Sequence, residues 1–261
     1  MSKQVAVKQE TGLVIVDQLP EWMKKGGNRG SEEVTANDIT LPRLEIIQDL
    51  SPQRKKSEPE YIEGAEEGMV FNTVTKELLG DQVLVIPVYF QMQYIIWKDR
   101  KKGGGFGGAF PTEAEAIEAR KALENPEDWA IVDTHVHYVL RLAEGSTMED
   151  PIFEEAVISM AKSKAKVSRN WNTLVKLAGG DRFSRMYVMS VVPEKNKNGD
   201  AYFNFKVASK GYVSKPMYDA AEVMYEAVRA GQRTVIHEEE KEINPSAAKP
   251  TAADSEENPF N

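Results

Sequence analysis

The sequence predicts an α+β fold, mainly β: a five-stranded OB-like barrel with inserted helices and disordered segments at both ends. Three observations predict it. Several runs are rich in β-branched and aromatic residues, the longest being DQVLVIPVYFQMQYIIW (81–97). The elements then fall in an order of five β segments with a helix between the third and fourth, as in an OB barrel, with an extra helix after the long second strand. Finally, composition divides the chain. Residues 1–39 lack periodicity, residues 40–236 carry the apolar pattern of one OB-like domain, and residues 237–261 turn to Ala, Pro, Ser and Glu, a disordered composition.

Each element has its own signature. LPRLEIIQDLSPQ (41–53) is the first apolar segment, and GMVFNTVT (68–75) reads as a strand. In the long strand over 81–97, Pro87 lacks an N–H and so requires an edge position or a bulge. FPTEAEAIEARKALEN (110–125) opens with a Thr112…Glu115 capping box and is a helix. WAIVDTHVHYVLRL (129–142) alternates, with Val132, Thr134, Val136, Tyr138 and Leu140 on one face. Asp133, His135, His137 and Arg141 share the other face, read as solvated.

EEAVISMAKSKAKVSRNWNTLVKLAGG (154–180) reads as one helix closed by Gly179–Gly180. Its wheel gathers Met160, Val167, Trp171, Leu174 and Ala178 on one side and Lys162, Lys166, Arg169 and Lys176 opposite, while Lys164 falls toward the apolar side. RMYVMSVVP and AYFNFKVAS flank EKNKNGD as a hairpin over 185–209. SKPMYDAAEVMYEAVRAG (214–231) is an amphipathic helix with Met217, Ala221, Met224, Tyr225 and Val228 on one face.

Composition removes several classes of function. No cysteine occurs in the 261 residues, which excludes disulfides, thiolate metal sites and cysteine nucleophiles and fits a reducing cytoplasm. The longest apolar run, VLVIPVYF (83–90), is too short to span a bilayer, and no secretory leader is visible. Gly103, Gly105 and Gly108 satisfy G-x-G-x-x-G, but charged residues separate the preceding strand from the first glycine. Pro111 intervenes, and Glu113 and Glu115 at the helix start would repel a pyrophosphate. No cofactor is expected. Asp133, His135 and His137 have the residue types of a non-haem iron site, yet no second carboxylate cluster joins them, and polar residues on a wet strand face are the reading adopted. No acid–base or nucleophile signature is present, so the chain is read as a non-enzyme.

Charge points elsewhere. The formal net charge is −8, but it is segregated. Cations concentrate in 97–110, 162–185 and 201–218, whereas 237–261 holds seven acids and two lysines. Trp97, Phe106, Phe110, Trp171, Tyr187, Tyr202, Phe203, Phe205 and Tyr212 lie in or beside the cationic segments. Cations for phosphates and aromatics for unstacked bases are the two needs of a single-strand binder. WKDRKKGGGFGGAF (97–110) is read as a mobile basic finger in which Phe106, flanked by glycines, meets a base. The expected nucleic-acid-binding residues are Trp97, Lys98, Arg100, Lys101, Lys102, Phe106, Lys162, Lys166, Arg169, Lys176, Arg182, Arg185, Lys206 and Lys210.

Four blocks, LPRLEIIQDLSP, FNTVT, IIWKDRKKGGGFGG and KVSRNWN, together resemble a family of tailed-phage early proteins associated with single-stranded-DNA binding. The resemblance runs through most of 41–176. The terminal DSEENPFN is similar to the acidic tip of bacterial and phage single-stranded-DNA-binding proteins, with one departure: those tips end on Phe, whereas Asn261 follows Phe260 here. The resemblance implies a phage protein of the host cytoplasm that coats single-stranded DNA. It also implies recruitment of replication, recombination or transcription proteins through Asp254, Glu256, Glu257, Pro259 and Phe260; homo-oligomerisation stays open. Two other functions share the same features: a transcription-modulating DNA-binding protein that contacts RNA polymerase, and a phage structural or assembly protein.

Overall fold

The computed structural model describes residues 9–10, 13–14, 30–35, 38–196, 198–233 and 235. The acidic tail, with Asp254, Glu256, Glu257, Pro259 and Phe260, lies outside the described residues, as does most of the N-terminal segment. The chain divides into two units, Met1–Ile39 and Thr40–Asn261. In the first, β1 (Gln9–Glu10) pairs antiparallel with β2 (Leu13–Val14). The second holds β3 (Leu44–Ile46), β4 (Val70–Asn72), β5 (Gln82–Lys98), β6 (Phe106–Phe110), α1 (Glu113–Lys121), β7 (Trp129–Leu142), β8 (Phe153–Ala161), α2 (Ala165–Ala178), β9 (Arg185–Lys195), β10 (Ala201–Tyr212) and α3 (Lys215–Arg229).

The architecture is α+β and mostly β. One antiparallel sheet runs β10-β9-β5-β7-β8, with β6 added to the far half of β5, and β3 pairs separately with β4. Its central ribbon is the long pairing of β5 with β7, interrupted by a register shift between Pro87 and Tyr89. Pro87 therefore sits at a bulge in a central strand, where its missing N–H breaks no ladder.

The sheet stays open, because β8 and β10 do not pair. Each outer edge already has a partner. Val157 of β8 donates its N–H to the carbonyl of Pro42 at 2.8 Å. On β10, the Gln48 amide copies a rung of backbone: its Nε2 donates to the Phe203 carbonyl at 2.9 Å and its Oε1 accepts from the Phe203 N–H at 2.8 Å. A primary amide carries the same donor and acceptor as a peptide, so one side chain silences one rung of the edge. The closed barrel expected from the element order is not formed among the described residues.

Both faces of the sheet are covered. On one, Val85, Val139, Ile158, Met160, Tyr187 and Phe205 pack with Val167 and Trp171 of α2 and with Leu44, Ile46 and Val70 of the β3–β4 pair. On the other, Ile86, Val88, Val136, Tyr138 and Leu140 pack with Met217, Ala221, Met224 and Val228 of α3. The face of β7 read as solvated is therefore buried except at Asp133: His135 and His137 are 8% and 0% exposed.

Two further expectations are corrected. Residues 154–180 are a strand followed by a helix. Phe153–Ala161 pairs with β7 along its whole length, and the chain turns at Lys162, whose φ is 51°. Nine residues of ladder pairing outweigh the helix propensity of EEA. The second correction concerns 97–110. FGGAF is a strand, paired from Tyr94↔Phe110 to Trp97↔Phe106, and Phe106 packs against Trp97 at 5.4 Å between ring centroids. Asp99 builds the turn between the strands, its Oδ1 accepting from the Lys101 N–H and its carbonyl from those of Lys102 and Gly104. The glycine at 107 serves close packing. A Cβ there would lie 2.8 Å from Cγ2 of Ile96 and 3.0 Å from the Trp129 ring.

Gly107→Ala is accordingly expected to destabilise the domain by about 1–3 kcal/mol, the usual cost of overpacking. A thermal melt reads this directly. An unchanged melting temperature would restore the mobile-loop reading of 97–110.

Candidate nucleic-acid interface

The surface most suited to a polyanion is the outer side of α2, and its position is set by what lies beneath it. Ser168 is fully buried under the helix, with its Oγ 2.8 Å from Nδ1 of His135 and 2.8 Å from Nε2 of His137. Arg182 approaches the remaining nitrogen of His137, with Nη2 2.9 Å from Nδ1. A guanidinium only donates, so His137 accepts at Nδ1 and carries its proton on Nε2. That N–H donates to Ser168, whose hydroxyl then donates to His135. One direction of hydrogen bonding runs through four side chains, and it requires both imidazoles to be neutral.

The electrostatics agree. Burial, and then Arg182 and His135, hold the pKa of His137 well below the ordinary imidazole value. Burial and Arg169 lower His135, against a smaller opposing effect of Asp133. Trp171, one turn along α2, stacks on His137 at 4.5 Å with 15° between the planes. Although Ser168 stands between two histidines, it has no exposed surface on which to meet a substrate, so the arrangement is a structural clamp between α2 and β7. Among the described residues no group of three or more His, Cys, Asp or Glu could hold a metal ion.

Above the clamp, Lys166, Arg169, Thr173 and Lys176 follow one another at helical spacing along the exposed side of α2, preceded by exposed Lys162. Lys166 to Lys176 spans about 15 Å at the α-helical rise. Lys162, Arg169 and Lys176 make no ion pair among the described residues. Lys166 does: its Nζ lies 2.9 Å from Oε2 of Glu194, which also accepts from the Tyr202 hydroxyl at 2.6 Å and from Asn204 at 3.1 Å. Hydrogen bonds from Lys166, Tyr202 and Asn204 push the Glu194 carboxyl down to about 2. Lys166 is thus partly neutralised, and Tyr202 is committed to Glu194.

The other expected residues scatter. Lys206 and Lys210 are exposed on β10. Arg185 is half-buried at the start of β9 and Arg182 in the turn before it, Arg182 being turned inward to His137. Lys98 rests over the Trp129 ring, 5.6 Å from its centroid, and Lys102 lies 3.6 Å from Asp128. Lys101 is exposed, and Arg100 falls in the turn after β5. Trp97 and Phe106 are half-buried against each other. The β5–β6 turn therefore belongs to a separate patch, apart from the α2 row.

Of the nine aromatics near the cationic segments, Trp171, Tyr187 and Phe205 are core. Tyr212, at 59% exposure, is the only exposed aromatic among the described residues. It ends β10 beside the C-terminus of α2, with its hydroxyl 3.4 Å from the Ala178 carbonyl and the Arg185 guanidinium 4.3 Å from its ring centroid. Strand alternation in sequence does not single out this residue. The signal available was Gly211 before it, where the β9–β10 register shifts.

Residues 8–234 match a family model described as Pam3 phage gp34-like protein. The chain belongs to this family. No curated protein and no solved structure matches it. Membership places the chain in a family of phage proteins and is silent on its chemistry. Among the described residues no helix is long and apolar enough to cross a membrane.

The clamp makes a prediction about pH. Both histidines have lowered folded-state pKa values, so below the ordinary value of 6.5 the unfolded chain binds protons that the folded chain refuses. Their stabilisation is complete above about pH 6.5 and is lost as the pH falls below it, at up to about 1.4 kcal/mol per pH unit for each histidine. Urea unfolding between pH 7 and 5.5 should show this decline, and His137→Gln should flatten it. An identical slope in the variant would contradict the neutral-imidazole assignment.

Proposed function

We propose that this protein binds single-stranded DNA without strong sequence preference, along the outer side of α2. The observation that carries the reading is the row Lys162–Arg169–Lys176, free of ion pairs among the described residues, leading toward the exposed Tyr212 stacked by Arg185. Phosphates meet the row, and a splayed base covers the Tyr212 ring. Aromatic stacking contributes about 1–3 kcal/mol per base and accepts any base, because every base has a π face. A duplex hides its bases, so the tyrosine favours single strands.

The OB-like part of the expectation enters as shared chemistry, cations for backbone and aromatics for bases, on a sheet that remains open. The acidic tail fits the same reading. Its seven carboxylates, tethered to the domain, compete with DNA for the cationic row and present Phe260 to replication, recombination or transcription proteins in the host cytoplasm.

Anisotropy of labelled oligo-dT across a salt series tests this. Alanine at Lys162, Arg169 and Lys176 together should make the slope of log K against log[salt] shallower by roughly 2, given about 0.7 per phosphate on a single strand. Tyr212→Ala should weaken binding by about 1–3 kcal/mol at every salt and leave the melting temperature unchanged. If oligo-dT fails to bind, or the triple variant keeps the parental slope, the reading is wrong.

A further inference from the structure

The fold covers its outer edges and leaves an inner one open. β9 flanks β5 over Gln82–Val85, and β6 flanks it over Tyr94–Trp97. β7 occupies the opposite side of β5 throughout, so β9 and β6 lie on the same side. Between them, Ile86–Met92 has no neighbouring strand on that side among the described residues. Seven residues of strand edge correspond to roughly 23 Å.

A cavity of about 430 Å³ lies against this gap, with Val88, Tyr89 and Phe90 as its floor and Phe183 and Tyr225 among its walls. Glu222 and Glu226 of α3 stand at its rim, both exposed and neither ion-paired among the described residues. Arg182 reaches into the same space. Its guanidinium sits 5.5 Å from the Phe90 ring centroid, and its Nε is buried without a hydrogen-bond partner among the described residues.

We propose that this edge is a docking site for an extended, basic segment of a partner protein, which adds as a strand between β9 and β6. Backbone pairing to β5 supplies affinity, as in other strand additions. The two glutamates select cationic side chains, and the free Arg182 Nε–H offers a donor to a peptide carbonyl. Charge excludes two other occupants. The protein's own segment 237–261 is acidic, and DNA is a polyanion, so the rim repels both. The site is separate from the α2 row and does not depend on its role.

The test uses the full-length chain without nucleic acid and a fluorescein-labelled heptapeptide, Lys-Val-Lys-Val-Lys-Val-Lys. The peptide should bind and slow amide exchange over Ile86–Met92. Its Glu-for-Lys counterpart should not bind. Of two versions N-methylated on alternate sets of residues, one should lose at least about tenfold, because only one set of N–H groups faces β5. E222Q/E226Q should weaken binding about tenfold and leave the melting temperature unchanged. The proposal is overturned if the heptapeptide does not bind or if both N-methylated versions bind like the parent. It is equally overturned if binding survives E222Q/E226Q with exchange over Ile86–Met92 unchanged, which would assign the peptide to the acidic tail.

Discussion

The hydroxyl of Ser168, held between His135 and His137, is the contact on which the rest of the domain depends. It fixes α2 on the sheet at one rotation and one height. With Trp171 stacked on His137, it joins hydrophobic packing to a buried hydrogen-bond network. Hydrophobic contact alone would let the helix slide or roll by part of a turn. Three aligned hydrogen bonds across four side chains do not allow that. The outer row of cations is therefore held where the inner residues put it, and the polar core and the charged surface are two sides of one helix.

Edge management is the second theme. An antiparallel sheet of this size needs its outer strands protected, and this chain does so with small means, a loop carbonyl at Pro42 and a single side-chain amide at Gln48. Those same contacts occupy the edges of β8 and β10, which do not pair with each other. A strand edge left open in the middle of such a sheet stands out, more so when carboxylates rim it while cations line α2. The two surfaces have opposite charge and suit partners of opposite charge.

Internal pairing also decides how much of the net basic patch is available. Counting lysines and arginines overstates it. Lys166 is tied to Glu194, Lys102 lies near Asp128, and Arg182 is directed to His137. Burial lowers the pKa of Lys164, which sits over the Phe205 ring. What remains for a polyanion is a narrow row, and a narrow row suits one strand of phosphates better than a broad duplex face.

The α+β, mainly β class, the capped helix α1, an edge position or bulge at Pro87, the β9–β10 hairpin and the apolar face of α3 were all legible in the sequence. Each rests on local rules: a capping box, a missing N–H, alternation, helical spacing. The sequence also placed Lys166, Arg169 and Lys176 on a shared outward side, because helical geometry alone arranges them. Only the tertiary structure decided that Phe153–Ala161 is a strand, since its partner β7 supplies the pairing that local propensity lacks. The same holds for His135 and His137, whose alternation is that of a wet face until α2 covers it. Gly107 reads as freedom in sequence and acts as close packing in space, because the Ile96 and Trp129 side chains that crowd it come from other strands. Tyr212 rather than Phe106 is the exposed ring for the same reason: exposure depends on what arrives from elsewhere in the chain, and no local pattern records it.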